Sequence, residues 1–146
     1  MQKGLAIKDS ILWGNTASQG SEMWVTGAVA TVTNSYTDIT VTSAPHVVSL
    51  DGAAVTWGSG ILVTNPLFAS DYTDLHLKSF AGRWDPASEN WTNDPGELSP
   101  CIDAGDPDSD WEREPQPNAK RVNLGAYGNT PYASRSPTVG TLFLLR

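Results

Sequence analysis

Ile7-Lys8-Asp9-Ser10-Ile11-Leu12-Trp13 is the stretch on which the fold turns, because its residue types recur downstream. Val32-Thr33-Asn34-Ser35-Tyr36-Thr37-Asp38 repeats the order of β-branched, polar, Asx and Ser positions 25 residues later, and Val32-Thr33-Asn34 recurs as Val63-Thr64-Asn65 after a further 31. Periods of this length mark stacked units, none of which can bury its apolar face alone. One coil of three short strands and their turns needs about this much chain. Between the copies, Ala28-Val29-Ala30-Thr31-Val32-Thr33 and Thr37-Asp38-Ile39-Thr40-Val41-Thr42 are rich in β-branched residues and alternate in polarity, as strands do. Gly14-Asn15, Gly27, Asp51-Gly52 and Gly58-Ser59-Gly60 supply the turns between them. No window of a dozen residues keeps a helical apolar stripe free of breakers, so helix content should be low.

The 146-residue chain fits one domain and carries a formal net charge of -7. An acidic surface repels phosphate backbones and anionic lipid heads, so neither nucleic acid nor a membrane is expected as a partner. Cys101 is the single cysteine and stands among apolar neighbours, so a buried, inert thiol is the preferred reading over a reactive one. Met1-Gln2-Lys3 leads into an apolar run too short for a signal peptide, and the localisation of the chain stays unassigned.

A different texture begins near Asn65. The segment from Asp85 to Asn129 is rich in proline and acidic residues, with short strands expected only at Leu75-His76-Leu77-Lys78 and Val122-Asn123-Leu124-Gly125. Its tryptophans, Trp84, Trp91 and Trp111, argue for a packed loop region over a loose linker. The expected organisation is therefore stacked coils over residues 1–70, a loop-rich cap over 71–133, and a linker with an apolar tail over 134–146. The tail is Thr141-Leu142-Phe143-Leu144-Leu145, read as a strand that docks on the body or on a neighbour.

Four motifs carry a likeness. Asp9-Ser10-Ile11-Leu12-Trp13-Gly14-Asn15 resembles a rung common in bacterial right-handed parallel β-helix repeat proteins. Asn65-Pro66-Leu67-Phe68, Ser99-Pro100-Cys101-Ile102-Asp103-Ala104-Gly105-Asp106 and Asn123-Leu124-Gly125-Ala126-Tyr127-Gly128 follow in order, and the series resembles the closing block of such proteins, of the pectin-lyase-like and choice-of-anchor type. The resemblance covers roughly residues 5 to 132. It implies an all-β, right-handed parallel β-helix fragment of two to three rungs with a loop-rich C-terminal cap, and relatives that are extracellular or on the cell surface. It implies no particular activity, because this architecture hosts polysaccharide lyases, glycoside hydrolases and many non-catalytic members. Asn65 stands where the family pattern has Asp, and Asn123 and Gly128 stand at acidic positions, so any role of those carboxylates is not carried over.

Candidate chemistry is sparse. Asp103, Asp106, Asp108 and Asp110 form the densest carboxylate group and could hold a weakly bound calcium, which takes six to eight hard oxygen ligands. The competing expectation, and the preferred one, is that these carboxylates close tight turns and that no cofactor is bound. Trp84, Trp91 and Trp111 could stack sugars as a carbohydrate-binding platform, with packing of the cap as the preferred use. Asp71, Asp74, Asp85 and Glu89 are the carboxylates available for acid–base work on a polysaccharide, but nothing in the sequence sets two of them face to face. His46 and His76 lack further ligands for zinc, and the alternation Leu75-His76-Leu77 turns His76 outward. Asn90-Trp91-Thr92 fits the glycosylation triplet without further support. The expected role is a non-enzymatic structural or binding module, with a carbohydrate-active enzyme or carbohydrate-binding module as the alternative. A bare coil end exposes apolar side chains and unpaired strand groups together, so a homodimer through that end or through exchange of the tail is expected.

Overall fold

The computed structural model describes residues 3–27, 30–70 and 72–138. The chain is all-β, and among the described residues there is no α-helix. Its first half alternates between two parallel sheets. Strands β1 (Lys3–Leu12), β3 (Ala30–Ile39) and β5 (Ala54–Trp57) lie side by side in that order, while β2 (Met23–Thr26) and β4 (Val47–Leu50) form a second pair. Leu5 pairs with Val32 and Val32 with Val55, offsets of 27 and 23 residues. Met23 and Val25 point inward while Trp24 and Thr26 point outward, the two-residue alternation of a half-buried strand. With Val32 they form a buried cluster, against which Ile7, Leu12, Val47 and Val55 pack. Each fully buried aliphatic side chain there stabilises the fold by roughly 1.5–3 kcal/mol.

Asp9 and Tyr36 sit at one level of the stack, between the pairs Lys8–Ser35 and Ser10–Thr37, and both have left-handed backbone, with φ of 52° and 46°. The conformation costs a non-glycine residue on the order of 1–2 kcal/mol. Its recurrence at stacked positions marks a corner built into the coil. Beyond it the stacking continues onto a third turn, where Tyr36 N–H donates to Ser59 O at 2.8 Å and Leu62 N–H to Thr37 O at 2.9 Å.

The second half changes character. Strands β6 (Phe68–Ser70) and β7 (Asp74–Leu77) form one antiparallel hairpin, and β8 (Arg83–Asp85) and β9 (Asn90–Thr92) another. Turns and loops follow to residue 138. A second core of Leu77, Cys101, Ile102 and Leu124 holds these loops together, and Ile11, Tyr36 and Leu62 from the coils pack onto it. Coil and loop region therefore share one apolar core.

Several expectations need correction. The copies of the repeat pair at 27 and 23 residues, not 25 and 31, because Val55 takes the place beside Val32 and Val63 is exposed. The two strands expected over 28–33 and 37–42 merge into the single strand β3, which ends at Ile39 and leaves Thr40–Thr42 outside it, while Ala28 and Val29 lie outside the described residues. Val122–Gly125 is no strand: its backbone is spent on loop contacts, Leu124 N–H donating to Cys101 O and Gly125 N–H to Asp9 O. His76 faces inward, buried at 2% exposure. The segment expected as a linker begins as a buried strap, in which Ser134 Oγ–H donates to Leu77 O and Ser136 Oγ–H to the Asp103 carboxylate. The tail 141–145 lies outside the described residues, as does Asp71.

Candidate functional site

The four sequence motifs meet in one place, the junction between coil and cap. Asp9, turned out at the β1 corner, accepts Asp106 N–H at 2.6 Å on Oδ1 and Ser109 Oγ–H at 2.5 Å on Oδ2. Pro66 O accepts Ser99 Oγ–H at 2.6 Å, and Cys101 O accepts Leu124 N–H at 2.9 Å. Asn123 bridges two segments, its Oδ1 accepting Asp103 N–H and its Nδ2 donating to Ser134 O, both at 2.8 Å. Gly125, at φ 92°, passes so close to Ile11 that an added Cβ would stand 2.9 Å from its Cδ1. The backbone there needs glycine for its φ and for its clearance alike.

Glu114 is the hub of the loops behind this junction. Its Oε1 accepts the backbone N–H groups of Asn123 and Asn129, each at 2.9 Å, and burial pushes its carboxyl above the ordinary 4.5. Beneath the junction Cys101 Sγ lies 3.0 Å from Asp38 Oδ2, with both residues fully buried. Burial, then the Asp38 carboxylate, pushes the Cys101 thiol well above its usual range, and burial likewise raises Asp38. That environment makes an inert thiol.

The four aspartates do not converge. Asp103 takes the Ser136 hydroxyl and Ala119 N–H, and Asp106 takes Asp108 N–H and the Lys8 ammonium. Asp110 takes Glu112 N–H and Asn129 Nδ2–H, while Asp108 is exposed. The Asp108 and Glu112 N–H bonds close local turns, as short polar side chains do, while the others tie separate segments together. Among the described residues no group of three or more His, Cys, Asp or Glu side chains is placed to hold a metal ion.

Of the three tryptophans, two come together. Trp84 and Trp91 face each other across the β8–β9 hairpin, with ring centroids 6.0 Å apart at 74°, the edge-on arrangement favoured by aromatic quadrupoles. Tyr132, 48% exposed, lies 5.2 Å from Trp84, and the Arg135 guanidinium sits 3.9 Å from the Trp91 centroid. Trp111 is half-buried in the following loops and joins none of these ring pairs. Tyr132 and Arg135 escaped the sequence reading because they follow the hairpin by 40 residues and more. A second aromatic surface was also missed: Trp13, Phe68 and Tyr72 line a groove of about 180 Å³ together with Asn65, Leu67 and Lys78.

His76 stacks on Tyr127 with centroids 3.6 Å apart, and its Nδ1 lies 2.5 Å from Asp74 Oδ1. Arg83 links Asp74 to Asp94, at 3.6 and 3.0 Å. Asp74 and Asp85 are thereby committed to local partners, Asp85 closing the β8–β9 turn through Ala87 N–H and Ser88 Oγ–H. Comparison of the chain with protein-family models, with curated protein sequences and with solved structures returned no match.

Proposed function

We propose that the chain closes a right-handed parallel β-helix: its first half is the last coils, its second half a cap, and its role is structural and non-enzymatic. The carrying observation is the register, in which β1, β3 and β5 stack in parallel in one sheet while the intervening β2 and β4 stack in another. Parallel strands joined by crossovers in one sheet take the right-handed course almost always. The motif resemblance supports the same reading and favours a bacterial surface or extracellular setting. The loop region docks on the C-terminal half of β1 and shares a core with the coils through Ile11, Tyr36 and Leu62, which ties it to the stack as a cap would be.

A polysaccharide contact is the second reading, favoured by the exposed Tyr132 ring beside the Trp84–Trp91 pair. Three measurements test both. Leu124→Asp should undock the cap and convert a soluble chain into large light-scattering assemblies; unchanged scattering would count against a capping role. Polysaccharides incubated with the chain should yield neither unsaturated products nor new reducing ends, and turnover would replace the structural reading with an enzymatic one. Binding without turnover, read as a tryptophan fluorescence change lost in Trp84→Ala, would establish the second reading.

A further inference from the structure

A cleft lies between the loop that follows β1 and the β6–β7 hairpin. The 180 Å³ groove of Trp13, Phe68 and Tyr72 adjoins a second cavity of about 250 Å³, lined by the same three residues with Ile11, Asn15 and Leu75. Together they reach the roughly 300–1,000 Å³ of small-molecule sites, which combine aromatic walls with a few polar groups. Tyr72 is 62% exposed. Among the described residues no acidic side chain lines either cavity.

The backbone marks this cleft as well. Among the described residues three large apolar or aromatic side chains stand on left-handed backbone: Tyr36 at the coil corner, and Leu67 and Tyr72, with φ of 51° and 58°, in the groove. Such strain persists only where surrounding contacts enforce it, and it gathers at ligand clamps. Asn65 Oδ1 accepts Leu67 N–H at 2.9 Å, and Leu67 O accepts Lys78 N–H at 2.8 Å. The Tyr72 hydroxyl rests on Gly14, where an added Cβ would collide with it, so this ring bridges hairpin and loop.

We propose that this cleft binds a neutral saccharide and holds it without cleaving it. It shares no residue with the β8–β9 aromatic surface, so either site can fail alone. A pyranose unit offers an apolar C–H face and a rim of hydroxyl oxygens. Trp13, Phe68 and Tyr72 supply partners for the face, and Asn65 and Lys78 supply donors for the rim. The Asn65 amide accepts Leu67 N–H through its oxygen, and its N–H2 donates to no group among the described residues. Lys78 Nζ stands 3.9 Å from Glu97 Oε2, beyond hydrogen-bonding distance. An acidic sugar would meet a chain of net charge -7, with Glu97 already beside Lys78, which favours a neutral one. Cleavage of a glycosidic bond needs two carboxyl groups flanking it, and none of the described lining residues carries one.

Calorimetric titration of the full chain with cellohexaose, xylohexaose and hexagalacturonate tests the site, beside the variants Tyr72→Gly and Lys78→Met. The expected result is binding of a neutral oligosaccharide with a Kd of about 1 mM or tighter, weakened roughly tenfold or more in Tyr72→Gly, as truncation of a central aromatic contact does. The urea midpoint of Tyr72→Gly should be no lower than that of the unaltered chain, because glycine takes the left-handed backbone without strain. Should that variant fail to fold, Lys78→Met carries the comparison, with a several-fold loss of affinity expected. No binding of either neutral oligosaccharide overturns the proposal, and so does binding of hexagalacturonate alone. New reducing ends released from cellohexaose overturn it too. Binding that survives both variants overturns the cleft as the site; if it is then lost in Trp84→Ala, the sugar belongs to the β8–β9 surface and the second reading stands.

Discussion

The carboxylate of Asp9 receives the backbone N–H of Asp106 at 2.6 Å, joining residues 97 positions apart. Its second oxygen takes the Ser109 hydroxyl and its own carbonyl takes Gly125 N–H, so one corner residue fastens two segments of the loop region to β1. The left-handed φ of 52° is what turns this side chain out of the strand and toward the cap. The corner of β1 and the docking point of the loop region are thus one residue.

Replacing Asp9 should show this directly. Asp9→Ala removes two acceptors for charge-assisted bonds and places a residue with less tolerance for the left-handed region at the corner, an expected loss of about 2–4 kcal/mol. Asp9→Asn keeps the backbone tolerance and one oxygen, and should cost about half as much. Urea unfolding followed by tryptophan fluorescence measures both; equal midpoints for Asp9→Ala and the unaltered chain would show that the Asp9 bonds to Asp106 and Ser109 add nothing to stability.

The shared core makes a second demand. Leu124 is buried at 1% exposure between cap and coils, and truncating it to Ala should cost about 2–5 kcal/mol through lost burial and the cavity left behind. Cys101→Ser should be far milder than Cys101→Ala, because the hydroxyl can still donate to Asp38 whereas Ala leaves that buried carboxylate short of a donor. The native thiol should react with a disulfide reagent only as fast as the chain unfolds.

Much of this was legible in the sequence, and the failures have physical causes. β-Branched alternation over Ala30–Thr33 announces a strand of parallel pairs, and the Gly and Asx punctuation announces the turns around it. The offset of 25 read for Ile7 and Val32 misses the true 27 by two residues, which preserves the inward face and hides the slip. Val63-Thr64-Asn65 copies Val32-Thr33-Asn34 in residue type alone; the Asp51-Gly52 turn brings Val55–Trp57 beside β3 first. His76 alternates with leucines, but the Asp74 carboxylate and the Tyr127 ring give it polar and stacking partners inside the protein. Glu114 carries no local mark at all: its two partners lie 9 and 15 residues away, and only the folded loops bring them to it.

Calcium should leave the melting temperature unchanged, and EDTA likewise. A ligand raises stability only by binding the folded state better than the unfolded one. Oxygens of Asp103, Asp106 and Asp110 that such an ion would need are committed to backbone, hydroxyl, amide and ammonium donors in separate turns. A calcium-dependent rise in the melting midpoint, lost in Asp106→Asn, would show that these turns reorganise around the ion.

Stability should pass through a maximum on the acid side of neutrality, for reasons of opposite sign in two sets of carboxyls. Burial raises Glu114 above its ordinary 4.5 and Asp38 above its ordinary 3.8, so in the folded chain each holds its proton to higher pH than in the unfolded chain. Stability from these two therefore falls as pH rises through the window that begins at those ordinary values, and it recovers on acidification. Asp106 is lowered chiefly by Asp108 N–H, Asp110 by Glu112 N–H and Asp85 by the Ser88 hydroxyl. Their contribution is present above 3.8 and is lost as pH falls below it, toward their folded values, though exposure to solvent keeps it small. Urea midpoints measured from pH 8 downward should rise toward the 4.5 region and then drop below 3.8. Glu114→Gln should flatten the upper limb, because its amide still offers an oxygen to Asn123 and Asn129 N–H but no longer titrates. An unchanged upper limb in that variant would assign the slope to Asp38, and a profile that declines steadily from neutral pH would contradict the burial of both.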